Sequence, residues 1–105
     1  MYYVYILKSK IRKLLYIGFT NNLNKRLEEH NQGNFFTTKK YRPWELCYFE
    51  GYKNEQEARD REKKLKQFGK VYSQLKRRIR GSLNLWPKGA GLTNAADMLR
   101  WIKKI

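Results

Sequence analysis

Residues 2–19 read Y-Y-V-Y-I-L-K-S-K-I-R-K-L-L-Y-I-G-F. Tyr3, Tyr5 and Leu7 alternate with Val4 and Ile6, the two-residue period that places one set on each face of a β-strand. A strand over residues 2–9 is predicted, followed by a polar turn over residues 10–13 and a returning strand from Leu14 to Phe19. The product is an N-terminal hairpin. Near its end stands Gly18, whose missing Cβ permits either a close backbone approach or an unusual dihedral, so that the chain swings off the sheet into a helix. Asn21 or Asn22 is the predicted cap of that helix.

Working outward, Leu23, Arg26, Leu27 and His30 recur at spacings of three and four and share one helix face. Arg26 therefore falls at or beside a buried stripe, either as a functional cation or as an arginine extending from the rim of the core. Asn31-Gln32-Gly33-Asn34 ends the helix, and the polar residues 37–42 lead into a third strand, roughly residues 44–52. Its apolar run through Tyr48 and Phe49 predicts a central strand with both faces at least partly covered. Asn54 followed by Glu57 predicts the start of a second helix. On that helix Ala58, Glu62, Leu65 and Phe68 or Gly69 trace the apolar face, while Arg59, Arg61, Lys63, Lys64 and Lys66 occupy most of the rest. Glu62 is thus a carboxylate where the period calls for an apolar side chain. Burying it unpaired costs several kcal/mol, on the order of a lost ion pair, so it needs either a salt bridge to Arg26 or Arg61 or a bound metal. Val71, Leu75 and Ile79, with Tyr72 beside them, predict a third helix ending near Gly81.

The 105 residues suit one compact domain, divided here into residues 1–83 and an apolar and basic extension over residues 84–105 packed on the same domain. Leu83, Leu85, Trp86 and Pro87 form an apolar patch across that boundary, and Thr93 or Asn94 caps a predicted terminal helix. Lys and Arg number 24 against 9 Asp and Glu, a net charge of +15 that makes a polyanion the expected partner. The single cysteine, Cys47, cannot close an internal disulfide and reads as a reduced, buried strand residue. One cysteine and one histidine exclude a zinc cluster. No apolar run approaches the roughly 20 residues that span a bilayer, so no membrane association is expected, and a soluble cytoplasmic protein, nucleoid-associated in a bacterium, is the expectation.

Val4-Tyr5-Ile6 and Tyr16-Ile17-Gly18, followed by the run F-T-N-N-L-N-K-R-L-E-E-H-N from Phe19, resemble the GIY-YIG nuclease superfamily. The closest likeness is to its small stand-alone members, related to the catalytic domains of the excision-repair nuclease and the structure-specific nuclease. R-P-W-E-L-C-Y, from Arg42, resembles the family's third strand, and E-A-R-D-R-E-K-K-L-K, from Glu57, its glutamate-bearing helix. The first triplet lacks the family's initial glycine. The likeness covers residues 2–83 and implies an α/β fold, a small sandwich of a three-stranded antiparallel sheet with flanking helices and an additional C-terminal helical segment.

The resemblance also implies a chemistry: metal-dependent hydrolysis of phosphodiester bonds in DNA, branched or damaged DNA and repair included. Glu62 would hold Mg²⁺ or Mn²⁺, Arg26 would contact the scissile phosphate, and Tyr5 or Tyr16 would orient or deprotonate the attacking water. Phe19 stands where several relatives carry lysine, so any role of that amine is either absent or supplied by another group. His30, Thr20, Thr38 and Gln74 are the auxiliary candidates. Lys25, Lys39, Lys40, Arg42, Lys66, Lys70, Lys76 and Arg77 are the candidate phosphate contacts. The same basic surface would equally serve a nucleic-acid-binding module that does not hydrolyse.

Overall fold

The structure, a computed structural model, describes residues 1–83. Strands β1 (Tyr2–Ser9) and β2 (Leu15–Thr20) form the hairpin, helices α1 (Leu23–Asn31) and α2 (Phe36–Lys39) follow, and β3 (Trp44–Tyr52) completes the sheet. Helices α3 (Glu55–Gln67), α4 (Gly69–Arg78) and α5 (Arg80–Leu83) come last. The proposed extension over residues 84–105, with its terminal helix, lies outside the described residues.

The sheet is antiparallel in the order β2-β1-β3. β1, not β3, is therefore central, which corrects the expectation drawn from the apolar run through Tyr48 and Phe49. Residues 4–7 are at most 1% exposed, whereas Phe49 on β3 is 52% exposed and packs edge-on against Tyr3 at 5.8 Å. β3 reaches the free edge of β1 because the α1–α2 excursion carries the chain across one face. In the β1–β3 ladder Ile6 pairs with Tyr48 and Leu7 with Leu46, so Cys47 is the extra residue of a bulge. Its side chain is half-buried rather than fully buried, and burial, with Glu45 adding to it, pushes the thiol pKa up, as suits an unreactive thiol.

The strand alternation divides the interior into two layers. Val4, Ile6 and Ile17 face Ala58 and Leu65 of α3, Leu75 of α4 and Leu83 of α5. Tyr5, Leu7 and Trp44 face the other way, against Tyr16, Leu46 and the α1 residues Leu23 and Leu27. A fully buried leucine such as Leu65 contributes about 1.5–3 kcal/mol relative to exposure, so the spacing of Ala58 and Leu65 suffices to seat α3.

Capping follows the sequence closely. Asn22 accepts from Lys25 N at 3.2 Å and Asn54 from Glu57 N at 3.0 Å, each satisfying an N-terminal donor. Asn31 ties the end of α1 to the sheet, accepting from Trp44 N at 2.6 Å and donating to Trp44 O at 3.1 Å. Two local expectations are corrected. Residues 37–42 are not simply a polar connector, because α2 runs into them from Phe36, and the third predicted helix stops at Arg78, with Ile79 leaving helical geometry before α5.

Candidate functional site

β2 is an edge strand with α1 on one face of the sheet and α3 on the other, so side chains from both helices meet around its edge. Tyr5 pairs with Gly18 and Tyr16 with Leu7, which puts both phenols on the α1 side, ring centroids 6.2 Å apart. A Cβ at Gly18 would overlap Cζ and Oη of Tyr5. Close approach, not an unusual dihedral, explains this glycine.

The Tyr5 hydroxyl lies 2.9 Å from His30 Nε2, and His30 Nδ1 lies 2.8 Å from Thr38 Oγ1. Burial, with Arg26 adding to it, holds the His30 pKa down at about 4, so the ring is neutral at pH 7 and has one N–H and one acceptor nitrogen. In one tautomer Tyr5 donates to Nε2 and Nδ1 donates to Thr38; in the other both bonds reverse. Tyr16 and Phe35 close over the same imidazole at 4.9 and 4.7 Å. Burial, then Tyr16, raises the Tyr5 pKa well above the ordinary phenol value, and Arg26 only partly opposes that rise.

Arg26 stacks on Phe35 at 5.2 Å. Its Nε is 3.3 Å from Glu29 Oε1, near enough for ion pairing but not oriented as a hydrogen bond, so this buried N–H has no hydrogen-bond partner. Arg26 and Glu62 share a groove of about 470 Å³ with Tyr2, Phe19, Thr20, Asn21, Glu55 and Arg59. The Glu62 carboxylate is 22% exposed and pairs with Lys66 at 3.2 Å, not with Arg26 or Arg61. Lys66 in turn lies 5.9 Å from the Tyr16 ring, and the charges of Arg26 and Glu62 both act on the Tyr5 phenol.

The auxiliary candidates divide. His30 and Thr38 join Tyr5; Thr20 lines the groove, but its hydroxyl braces the turn, donating to Asn22 O at 3.2 Å and accepting from Asn22 N at 3.1 Å. Gln74 is exposed on α4 and is not among the groove residues. Of the phosphate-contact candidates, Lys25, Lys39, Lys40, Arg42, Lys66, Lys70 and Arg77 are exposed. Lys76 is the exception. It is 5% exposed, sits over the Tyr72 ring at 4.4 Å and has a pKa lowered by burial, so it is no part of an exposed basic face.

Sequence reasoning passed over Arg59, which lies over Phe19 at 4.3 Å and lines the groove three residues before Glu62. The i,i+3 spacing was the available signal. Arg61, beside Glu62, instead points to the sheet and binds Glu50 through Nε at 2.9 Å and Nη2 at 3.0 Å.

Among the described residues no group of three or more His, Cys, Asp and Glu side chains forms a metal cluster. The groove is lined by two carboxylates, Glu55 and Glu62, the class of hard oxygen donor that a hydrated ion such as Mg²⁺ takes one or two of. No helix among these residues is long and apolar enough to cross a membrane.

The profile of the GIY-YIG catalytic domain matches residues 1–76. A UPF0213 protein of Clostridium perfringens is 49% identical over 59% of this chain and 67% of its own length. One from Staphylococcus haemolyticus is 40% identical over 66% of this chain and 84% of its own. The solution NMR structure of a UPF0213 protein from Bacillus halodurans matches with a TM-score of 0.48 at 23% identity, covering 90% of this chain and 99% of that one.

Proposed function

The chain belongs to the GIY-YIG family, and from that premise we propose that it binds DNA across the surface bearing the Arg26–Glu62 groove. The observation that carries this reading is the Arg26 guanidinium, whose side chain is 36% exposed and lines the groove. A phosphate oxygen would meet that guanidinium from the groove, and charge-assisted bonds to phosphate are among the strongest available to arginine. Lys25 and Lys66 stand exposed on the flanking helices, where they add sequence-independent attraction. Titration of fluorescent duplex DNA with wild-type protein and Arg26→Ala tests this. A loss of about tenfold is expected; equal affinities would reject the assignment.

A second reading, metal-dependent hydrolysis at the same groove, is favoured by Arg26 and Glu62 lining it while their charges act on the Tyr5 phenol, whose ring lies 6.2 Å from that of Tyr16. Glu62 would hold Mg²⁺ or Mn²⁺, which when bound supplies Lewis acidity at the phosphate and a more acidic water. Lys66, the more exposed partner, would have to release the carboxylate, an exchange of modest cost because surface i,i+4 pairs contribute only about 0.3–0.5 kcal/mol. Arg26 would stabilise charge gathering on the nonbridging oxygens. The raised pKa keeps Tyr5 protonated, so its hydroxyl would position neighbours, leaving Tyr16 Oη to orient the water. Arg59, held over Phe19, would provide the cation that relatives place on a lysine. Cleavage of nicked, flapped, branched and damaged DNA with and without Mg²⁺ or Mn²⁺ tests this second reading. Cutting that persists in Glu62→Ala under chelation would exclude it while leaving DNA binding intact.

A further inference from the structure

Phe36 is 92% exposed, the most exposed large apolar side chain among the described residues. A single exposed ring is ordinary; its setting makes this one informative. Phe36, Thr37, Lys39, Lys40 and Tyr41 line a depression of about 530 Å³ without a carboxylate. The turn that displays the ring is firmly anchored. Thr38 is 1% exposed, its hydroxyl engaged by His30, and its carbonyl accepts from Trp44 Nε1 at 2.9 Å. The adjoining residue, Phe35, points inward against His30 and Arg26. A purely apolar partner would have to bury two ammonium groups here, whereas a polyanion carrying flat aromatic bases suits both the ring and the lysines.

We propose that Phe36 is a stacking platform for an unpaired nucleobase, with Lys39 and Lys40 holding the phosphates beside it. This rests on the DNA-binding reading above and refines it: a strand held at Arg26, which stacks on Phe35, would also be gripped through an unpaired base at the adjoining Phe36. Substrates that join single strand to duplex are then favoured over blunt duplex.

The test uses the full chain in chelator, so that no cleavage intervenes. Anisotropy titrations would compare a blunt duplex with one bearing about five unpaired nucleotides, and 2-aminopurine in the unpaired stretch would report stacking. Wild-type protein should prefer the overhang and quench the probe. Phe36→Ala should lose the quenching and about tenfold in overhang affinity, the size of one lost base–aromatic stack, while blunt-duplex affinity stays within about twofold. Phe36→Trp should restore both. Unchanged overhang binding by Phe36→Ala, or equal loss on both DNAs, would overturn the proposal. So would sedimentation showing that Phe36→Ala dissolves a dimer with DNA affinity unaltered, which would make the patch a self-association surface. Should wild-type protein bind neither DNA, the parent reading falls as well; should it bind both with Phe36 silent, only the platform falls.

Discussion

At the level of single residues, the Tyr5–His30–Thr38 chain sets the chemistry around β2. Each member is at most 1% exposed, so each hydrogen bond lost leaves a stranded polar atom. Tyr5→Phe should cost about 1–3 kcal/mol, read as a lowered urea midpoint with unchanged slope. His30 also imposes a pH dependence. Its folded pKa of about 4 lies below the ordinary value near 6.5, so the unfolded chain binds the proton first and stability declines as pH falls from about 6.5 towards 4. The loss is at most about 3 kcal/mol, and His30→Gln should flatten it. The stretch above about 4.5 isolates His30, because Glu50 loses its contribution only below the ordinary carboxylate range. Sequence spacing put His30 beside Arg26 on one helix face, but not against Tyr5, 25 residues away; that contact depends on α1 lying across the Tyr5 face.

Among elements, what aims Glu62 is the joint between α3 and β3. Glu50 accepts from both Arg61 nitrogens and from the hydroxyls of Tyr48 and Tyr52, each at 2.6 Å. Burial alone would raise its pKa, but these bonds outweigh burial and hold the carboxyl below its usual range, while burial and the Glu50 contact push both tyrosines up to about 12. The pair's side chains are 26% and 16% exposed, against 52% and 49% for Arg59 and Glu55 one turn away. Glu50→Ala should therefore destabilise by about 2–4 kcal/mol, since it strands four donors on three residues, whereas Glu55→Ala should cost at most about 0.5 kcal/mol. Thermal denaturation of the two variants side by side measures the contrast. The sequence showed β1, β2, α1 and α3 through periodicity and caps. It concealed α2, whose four residues have no apolar period and are secured from outside by His30 and Trp44. It also concealed the order of the sheet, because an apolar run looks alike on a central strand and on an edge strand packed by aromatic neighbours.

Across the whole molecule, a charge of +15 on 105 residues makes association strongly dependent on salt, and that dependence separates general attraction from the groove's particular contribution. Every phosphate neutralised by a lysine or arginine releases counterions, so log affinity falls linearly with log salt at about 0.9 per contact on duplex DNA. A surface making about 6–10 such contacts loses roughly 10³–10⁵ in affinity between about 50 and 200 mM salt. Lys25, Lys39, Lys40 and Arg42 are candidates for such a surface, and they are exposed; Lys76 is a candidate by the same reading and is buried, because neither charge nor helix spacing reveals what a side chain packs against. Replacing Lys25 with Ala should therefore lower the salt slope by about one, whereas Lys76→Ala should leave it unchanged and alter stability instead. Glu62→Ala removes a carboxylate from the groove and should raise DNA affinity in chelator, because the carboxylate repels phosphate and its removal frees Lys66 from the ion pair. If added Mg²⁺ strengthens wild-type binding but not that of Glu62→Ala, the cation acts through this carboxylate. If both respond alike, Mg²⁺ is only screening charge, and a module that binds without cutting is the better description of the groove.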